Sequence, residues 1–248
     1  MWGFFVIFVQ NSSMTVDQCY SILRFIVRKN QLGSLSPSDF QYAFNTAQRN
    51  YYDLLVGRIE QYQYGRPIPR IGLSMTDNVV SRLMPFESSI TLTTAVGDGL
   101  VVTGSGSSAT LVATKPTGIN KLLAMYTANK YRVYRIEENR FAERIQDSID
   151  PIDEANAFFV EQSADWRIYP ATLTSLTLKY LTVPADVVWA YTTDGSGRPV
   201  YTSTGSVNPL WYNNDIDEIV ARAAKIIGVS FKEGALTQFG EQVIAKGE

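Results

Sequence analysis

The run from Ser36 to Pro69, SPSDFQYAFNTAQRNYYDLLVGRIEQYQYGRPIP, commits this chain to one long helix. Ser36 can cap it, Pro37 suits the first helical position, and Asp39 places negative charge in the first turn. Phe40, Ala43, Phe44, Ala47, Tyr51, Leu54, Leu55, Ile59 and Tyr62 recur at three- and four-residue steps, which is the spacing of one helix face. Gly65 and Pro67 supply the stop. At about 1.5 Å per residue, roughly 27 residues span about 40 Å. Such a helix, aromatic on one side and rich in Gln and Asn on the other, suits a structural element better than a catalytic loop.

Its neighbours in sequence extend the pattern. Thr15 and Gln18 form a capping box ahead of a first helix to Asn30, with Val16, Cys19, Tyr20, Leu23, Ile26 and Val27 on one face. The short link that follows, with Gly33, predicts an antiparallel hairpin with the long helix. Near the other end, Asn213 or Asn214 can cap a helix bearing Asp215, Asp217 and Glu218 in its first turn. Ile216, Ile219, Val220, Ala223, Ile226 and Ile227 form its apolar face. Ser230 and Glu233 make a second capping box before a last helix over 231–245, which carries Gly234 and Gly240. Each Gly costs about 1 kcal/mol against Ala, so that helix depends on packing or a partner.

Between the helical ends the period changes to two. SITLTT (89–94), LVVT (100–103) and TLVAT (110–114) are β-branched runs punctuated by Gly97-Asp98-Gly99 and by the Gly/Ser stretch 104–108. KYRVYR (130–135) alternates as a half-exposed strand, and 137–146 reads as a short helix. Strands follow at 158–162, 166–169, 175–182 and 187–191, and Asp194-Gly195-Ser196-Gly197 is a turn by composition. The expected fold class is α+β, a helical bundle formed by the N- and C-terminal helices with a β-rich inserted domain. The divisions are an apolar leader (1–13), a helical hairpin (14–70), the β-rich insertion (71–212, with Gly/Ser/Thr-rich hairpins at 88–115) and the C-terminal helices (213–248). The leader, MWGFFVIFV and four more residues, is too short to span a bilayer and lacks the marks of a secretory signal. Either it is native and packs as a strand or partner contact, or Met14 is the natural start.

Composition narrows the chemistry. The chain has 248 residues, no His and one Cys, with 22 Lys plus Arg against 24 Asp plus Glu. Without His there is no Ser-His-Asp triad, Cys-His pair or His-bound metal. One Cys leaves no internal disulfide and no thiolate cluster, and Cys19 reads as a buried thiol. The charge balance gives no sign of binding to nucleic acid through phosphate neutralisation. The glycines at 97–106 have no helix after them to form a phosphate cradle, so hairpin turns explain them. Asp147, Asp150 and Asp153 could serve glycoside hydrolysis or a divalent cation, but their spacing lacks the Ca²⁺-loop pattern and a solvated turn explains them better. Trp166, Trp189 and Trp211 are core by default, with an interface as the alternative. No catalytic, cofactor-binding or metal residues are expected. The candidate docking residues are Phe231, Leu236, Phe239 and Val243 on the last helix, whose other use would be to pack on the first two helices.

Three segments carry a resemblance. MTVDQCYSILRFIVRKNQLGSLSPSDFQYAFNTAQRNYYDLLVGRIEQYQYGRPIP resembles the start of structural proteins of tailed bacteriophages, the crAss-like phages especially. DWRIYPATLTSLTLKYLTVPADVVWAYTTDGSGRPVY resembles a strand-rich segment of the same proteins, and NNDIDEIVARAAKIIGVSFKEGALTQFGEQ their helical end. Residues 88–115 and 1–13 depart from the pattern. The resemblance implies a non-enzymatic virion neck protein, a portal adaptor or head-to-tail connector assembled in the host cytoplasm. It would form a ring of about twelve copies with itself, following the portal. Its partners would be the portal protein, other neck or tail proteins, and double-stranded DNA passing through without sequence-specific binding, with no membrane. A near-neutral subunit fits a conduit through which DNA must slide. The alternatives are another tail structural protein, such as a hub or outer collar, or a carbohydrate-binding host-recognition module.

Overall fold

The structure is a computed structural model that describes residues 14–29, 34–60, 78–95, 97–104, 109–146, 151–230, 238, 241, 242, 244 and 245. It is mixed α+β. The elements in order are α1 (Val16–Lys29), α2 (Pro37–Glu60), a helical segment α3 at 78–83, and a 3-10 turn (Met84–Phe86). Then follow β1 (Glu87–Thr93), β2 (Leu100–Thr103), β3 (Thr110–Thr114), β4 (Ile119–Thr127), β5 (Tyr134–Ile136), α4 (Glu138–Ile145), β6 (Phe158–Glu161) and β7 (Asp165–Tyr169). The last are β8 (Ser175–Thr182), β9 (Tyr191–Thr193), β10 (Pro199–Tyr201) and α5 (Asn213–Ser230). The chain divides into two units, one of residues 1–85 with 184–248 and the other of 86–183.

In the first unit, both N-terminal helices start as their sequences dictate. The Gln18 side chain accepts from Thr15 N–H at 2.8 Å, and Thr15 Oγ1 accepts from Gln18 N–H at 3.3 Å, so the capping box is closed from both sides. Ser36 Oγ accepts from Asp39 N–H at 3.1 Å at the head of α2. The expected α2 face is buried at Phe40, Ala43, Phe44, Ala47, Tyr51 and Leu55, with Leu54 half-buried. The stop at Gly65 and Pro67 lies outside the described residues. α2 packs on α5 and, less extensively, on α1. Ile216, Ile219, Val220, Ala223 and Ile227 fill the α5 side. Cys19 is buried in α1, and loss of hydration pushes its thiol up to about 12.

The α5 start differs from expectation. Asn213 is already its first helical residue. Tyr212 C=O accepts from both Asp215 and Ile216 N–H, which places the cap one residue earlier. Asn213 Oδ1 instead accepts from Met14 N–H at 2.8 Å, tying the entry to α1 to the entry to α5.

The second unit holds two sheets. One has the order β1-β8-β4 and is antiparallel throughout; the other has the order β2-β3-β7-β6-β5, with only the β5–β6 pair parallel. Their inner faces share one apolar cluster. It includes Leu92, Leu111, Met125, Phe159, Trp166, Ile168, Leu176 and Leu178. β8 shows why these strands form: its burial alternates along SLTLKYLT, so Leu176, Leu178 and Tyr180 enter the core while Lys179 stays outside. α4 lays Phe141 against Phe158 and Tyr169.

Candidate functional site

Two polar arrangements stand out, both within the first unit. The first is on the amide side of α2. Gln41 Nε2 donates to Trp189 C=O at 3.3 Å, Asn45 Nδ2 to Val187 C=O at 3.1 Å, and Gln48 Nε2 to Ala185 C=O at 3.0 Å. Val187 N–H returns a bond to Asn45 Oδ1 at 2.8 Å. The match is geometric. Four helical residues advance about 6 Å and two extended residues about 6.6 Å, so amides at 41, 45 and 48 read carbonyls at 189, 187 and 185 in antiparallel order. Arg49 adds an exposed ion pair to Asp186 at 2.6 Å. At the end of this ladder Trp189 donates from Nε1 to Asp17 Oδ1 at 3.0 Å and packs on Tyr20, with centroids 4.4 Å apart. The extended segment that reads as a strand at 187–191 is therefore held by side chains. Among the described residues its backbone pairing before β9 is limited to an isolated bridge from Val188 to Val207 and one bond from Thr202 N–H to Ala190 C=O.

The second arrangement is an ionic network at the head of α5. Asp215 is 2% exposed. Tyr51 donates its O–H to Asp215 Oδ1 at 2.8 Å, and Arg82 Nη1, from α3, donates to the Tyr51 oxygen at 2.7 Å and lies 3.5 Å from the carboxylate. Glu218 is 3.9 Å from the same Nη1 and pairs with Arg222 at 2.7 Å, four residues on along α5. The Arg222 guanidinium sits 5.4 Å over the Tyr51 ring, and Trp211 packs on its side with centroids 5.2 Å apart. Desolvation by burial pushes Asp215 upward against the pull of Tyr51 and Arg82. Burial, with the neighbouring carboxylate, pushes the Tyr51 phenol up as well. Two cations face two carboxylates, so the network closes on itself. Its chemistry is that of a staple between α2, α3 and α5, with each charge already answered. Above it opens a cleft of about 510 Å³ lined by Asn78, Ser81, Arg82, Met84, Tyr212, Asn213, Asn214 and Asp215.

A third feature projects outward. Among the described residues, β9 and β10 pair only with each other. Every residue from 191 to 200 is exposed. Asp194 Oδ1 locks the tip by accepting from Ser196 and Arg198 N–H, each at 2.8 Å. Trp189 grips the base, 5.7 Å from the Tyr191 ring and 5.8 Å from that of Tyr201.

Phe231, Leu236, Phe239 and Val243 lie outside the described residues, as do Asp147 and Asp150. Asp153 Oδ1 accepts from Asn156 N–H at 2.9 Å within a turn. Trp166, Trp189 and Trp211 are at most 3% exposed, which overturns the interface alternative for all three. The amide ladder, the ionic network and the arm were not singled out as sites. The Gln/Asn spacing of α2 and the Asp194 turn were their visible signals. Among the described residues no group of three His, Cys, Asp or Glu could hold a metal ion, and no helix is long and apolar enough to cross a membrane. No protein-family model matches the chain, and no curated protein matches it.

Proposed function

We propose that this chain is a structural subunit of a bacteriophage neck. Copies join in a ring of about twelve between portal and tail, extend the channel for double-stranded DNA and offer a platform to the tail. In this reading the terminal helices form a bundle, and the β-rich segment is an insertion that projects from it. The protein works by its surfaces and not by a reaction.

The β9–β10 arm carries the reading. An isolated two-stranded hairpin is marginal in water, because it has no face to bury. This one is exposed along residues 191–200, yet its tip is locked by Asp194 and its base gripped by Trp189. A preorganised, unburied arm costs stability in a lone molecule and lowers the ordering cost of docking in an assembly. The amide ladder serves the same end, since it fixes the segment from which the arm departs.

Order-of-addition binding tests the proposal. The purified chain is offered the portal ring of its phage, then tail proteins, and the reverse. A connector binds the portal first and creates the tail site. Binding to tail proteins alone, with no affinity for the portal, would favour a hub or outer collar protein.

A further inference from the structure

We infer that the β9–β10 arm of one copy adds as a strand to the free edge of β2 in the neighbouring copy. The inference rests on the ring reading above and names the contact that closes the ring.

The backbone pattern decides which edges can join. Thr202 N–H donates to Ala190 C=O, and Asp194 N–H to Arg198 C=O. With Thr192 opposite Val200, the even-numbered residues therefore face inward between β9 and β10. Tyr191 and Thr193 turn their N–H and C=O groups outward. On β10 the outward positions are Pro199 and Tyr201, and Pro199 has no N–H, so that edge is blunted. β9 is the competent edge of the arm.

Among the described residues β2 ends the five-stranded sheet, and its inward and outward positions follow from the same alternation. Thr114 N–H donates to Gly99 C=O. With Val101 opposite Val112 and Thr103 opposite Thr110, these residues bond inward to β3. Leu100 and Val102 present their backbone groups outward. β2 reads LVVT, without charge or Pro to guard it, and Val101 and Val102 are 57% and 47% exposed. Each edge thus offers two residues at a spacing of two. Set antiparallel, with Tyr191 opposite Val102 and Thr193 opposite Leu100, they form about four backbone hydrogen bonds.

Charge agrees with this register. It brings the arm tip beside the turn that precedes β2, so Arg198 meets Asp98. Among the described residues neither has an ion-pair partner in its own chain. Asp194, which also comes near, has Oδ1 engaged by two N–H groups, whereas Asp98 accepts from the Thr93 hydroxyl through Oδ2 and has no charged partner among the described residues. The arm and the β2 edge are different surfaces, so the contact is head-to-tail, the type that closes rings.

Two single-cysteine variants test the pairing. Tyr191→Cys and Val102→Cys are prepared separately, mixed and oxidised; Cys19 is buried and contributes little background. An antiparallel hydrogen-bonded pair places the two Cα atoms about 5.5 Å apart, within disulfide reach. The mixture is expected to give a covalent dimer that neither variant gives alone. Asp98→Arg and Arg198→Asp, each checked for wild-type melting, are each expected to weaken assembly about tenfold, and the double variant to restore it. A wild-type ring with no mixed cross-link and no response to charge reversal would overturn the arm pairing and leave the ring standing. Equal cross-linking within a single variant would overturn the head-to-tail register. A wild type that forms no ring, alone or on the portal, would overturn both readings.

Discussion

In the second unit, two sheets meet through Leu, Ile, Met, Phe and Trp side chains, in a cluster whose polar side chains are limited to the Trp166 and Tyr180 tips. In the first unit, α2 meets its neighbours through rings on one side and amides on another, and Tyr51, Asp215 and Arg82 link it to α5 and α3. Burial alone holds the first kind of core, and many apolar side chains of suitable volume would serve it. Each buried amide or carboxylate in the second kind is satisfied in one geometry only. The helical unit therefore gives up tolerance to substitution and gains a fixed path for 185–189 and the arm that follows.

The contrast can be broken at several points. Trp166→Ala in the β unit and Trp211→Ala in the helical unit should each cost about 3–5 kcal/mol, read as a loss of denaturant midpoint. A near-neutral result for either would remove it from the core. Asn45→Ala should cost about 1–3 kcal/mol, because Val187 N–H and C=O both lose their partner. Protease sensitivity at 185–190 should rise with it. Wild-type stability would show the ladder to be incidental.

Asp215→Asn probes the network through pH. The folded carboxyl titrates above its ordinary value. Its contribution is thus fullest below the ordinary carboxyl range and is lost as pH rises through the raised folded value. Midpoints measured across the acid range should show the wild type losing ground to the Asn variant as pH increases. A difference constant with pH would contradict the assignment of a raised carboxyl. Arg49→Ala should cost less than about 1 kcal/mol, since its pair with Asp186 is more than half exposed at both ends.

Local chemistry was legible in the sequence, and remote chemistry was not. The Thr15–Gln18 box, the Ser36 cap and the Asp194 turn each involve residues within four positions, and all three form as read. β7 and β8 follow the strand pattern within a residue. The amide face of α2 carries no local sign of its partners, which lie 137–148 residues away. β4 lacks a sequence signal for a different reason. Two register shifts, between Ile119 and Lys121 and between Leu122 and Ala124, break the alternation that would have revealed it. In KYRVYR the strand starts later than the alternation predicts. Lys130 takes a left-handed φ of 67° in a turn closed by its N–H to Thr127 C=O, and β5 starts only at Tyr134. The Gly97–Gly99 turn and the β-branched runs beside it carried their own signals. The cleft and ionic network did not, since Tyr51, Arg82 and Asp215 sit on three separated elements.

Native mass spectrometry of the purified chain, alone and mixed with the portal ring of the phage proposed as its source, tests the assembly account most directly. The account predicts a closed oligomer, or about twelve copies added to each portal. A chain that stays monomeric at high concentration and ignores the portal would contradict it.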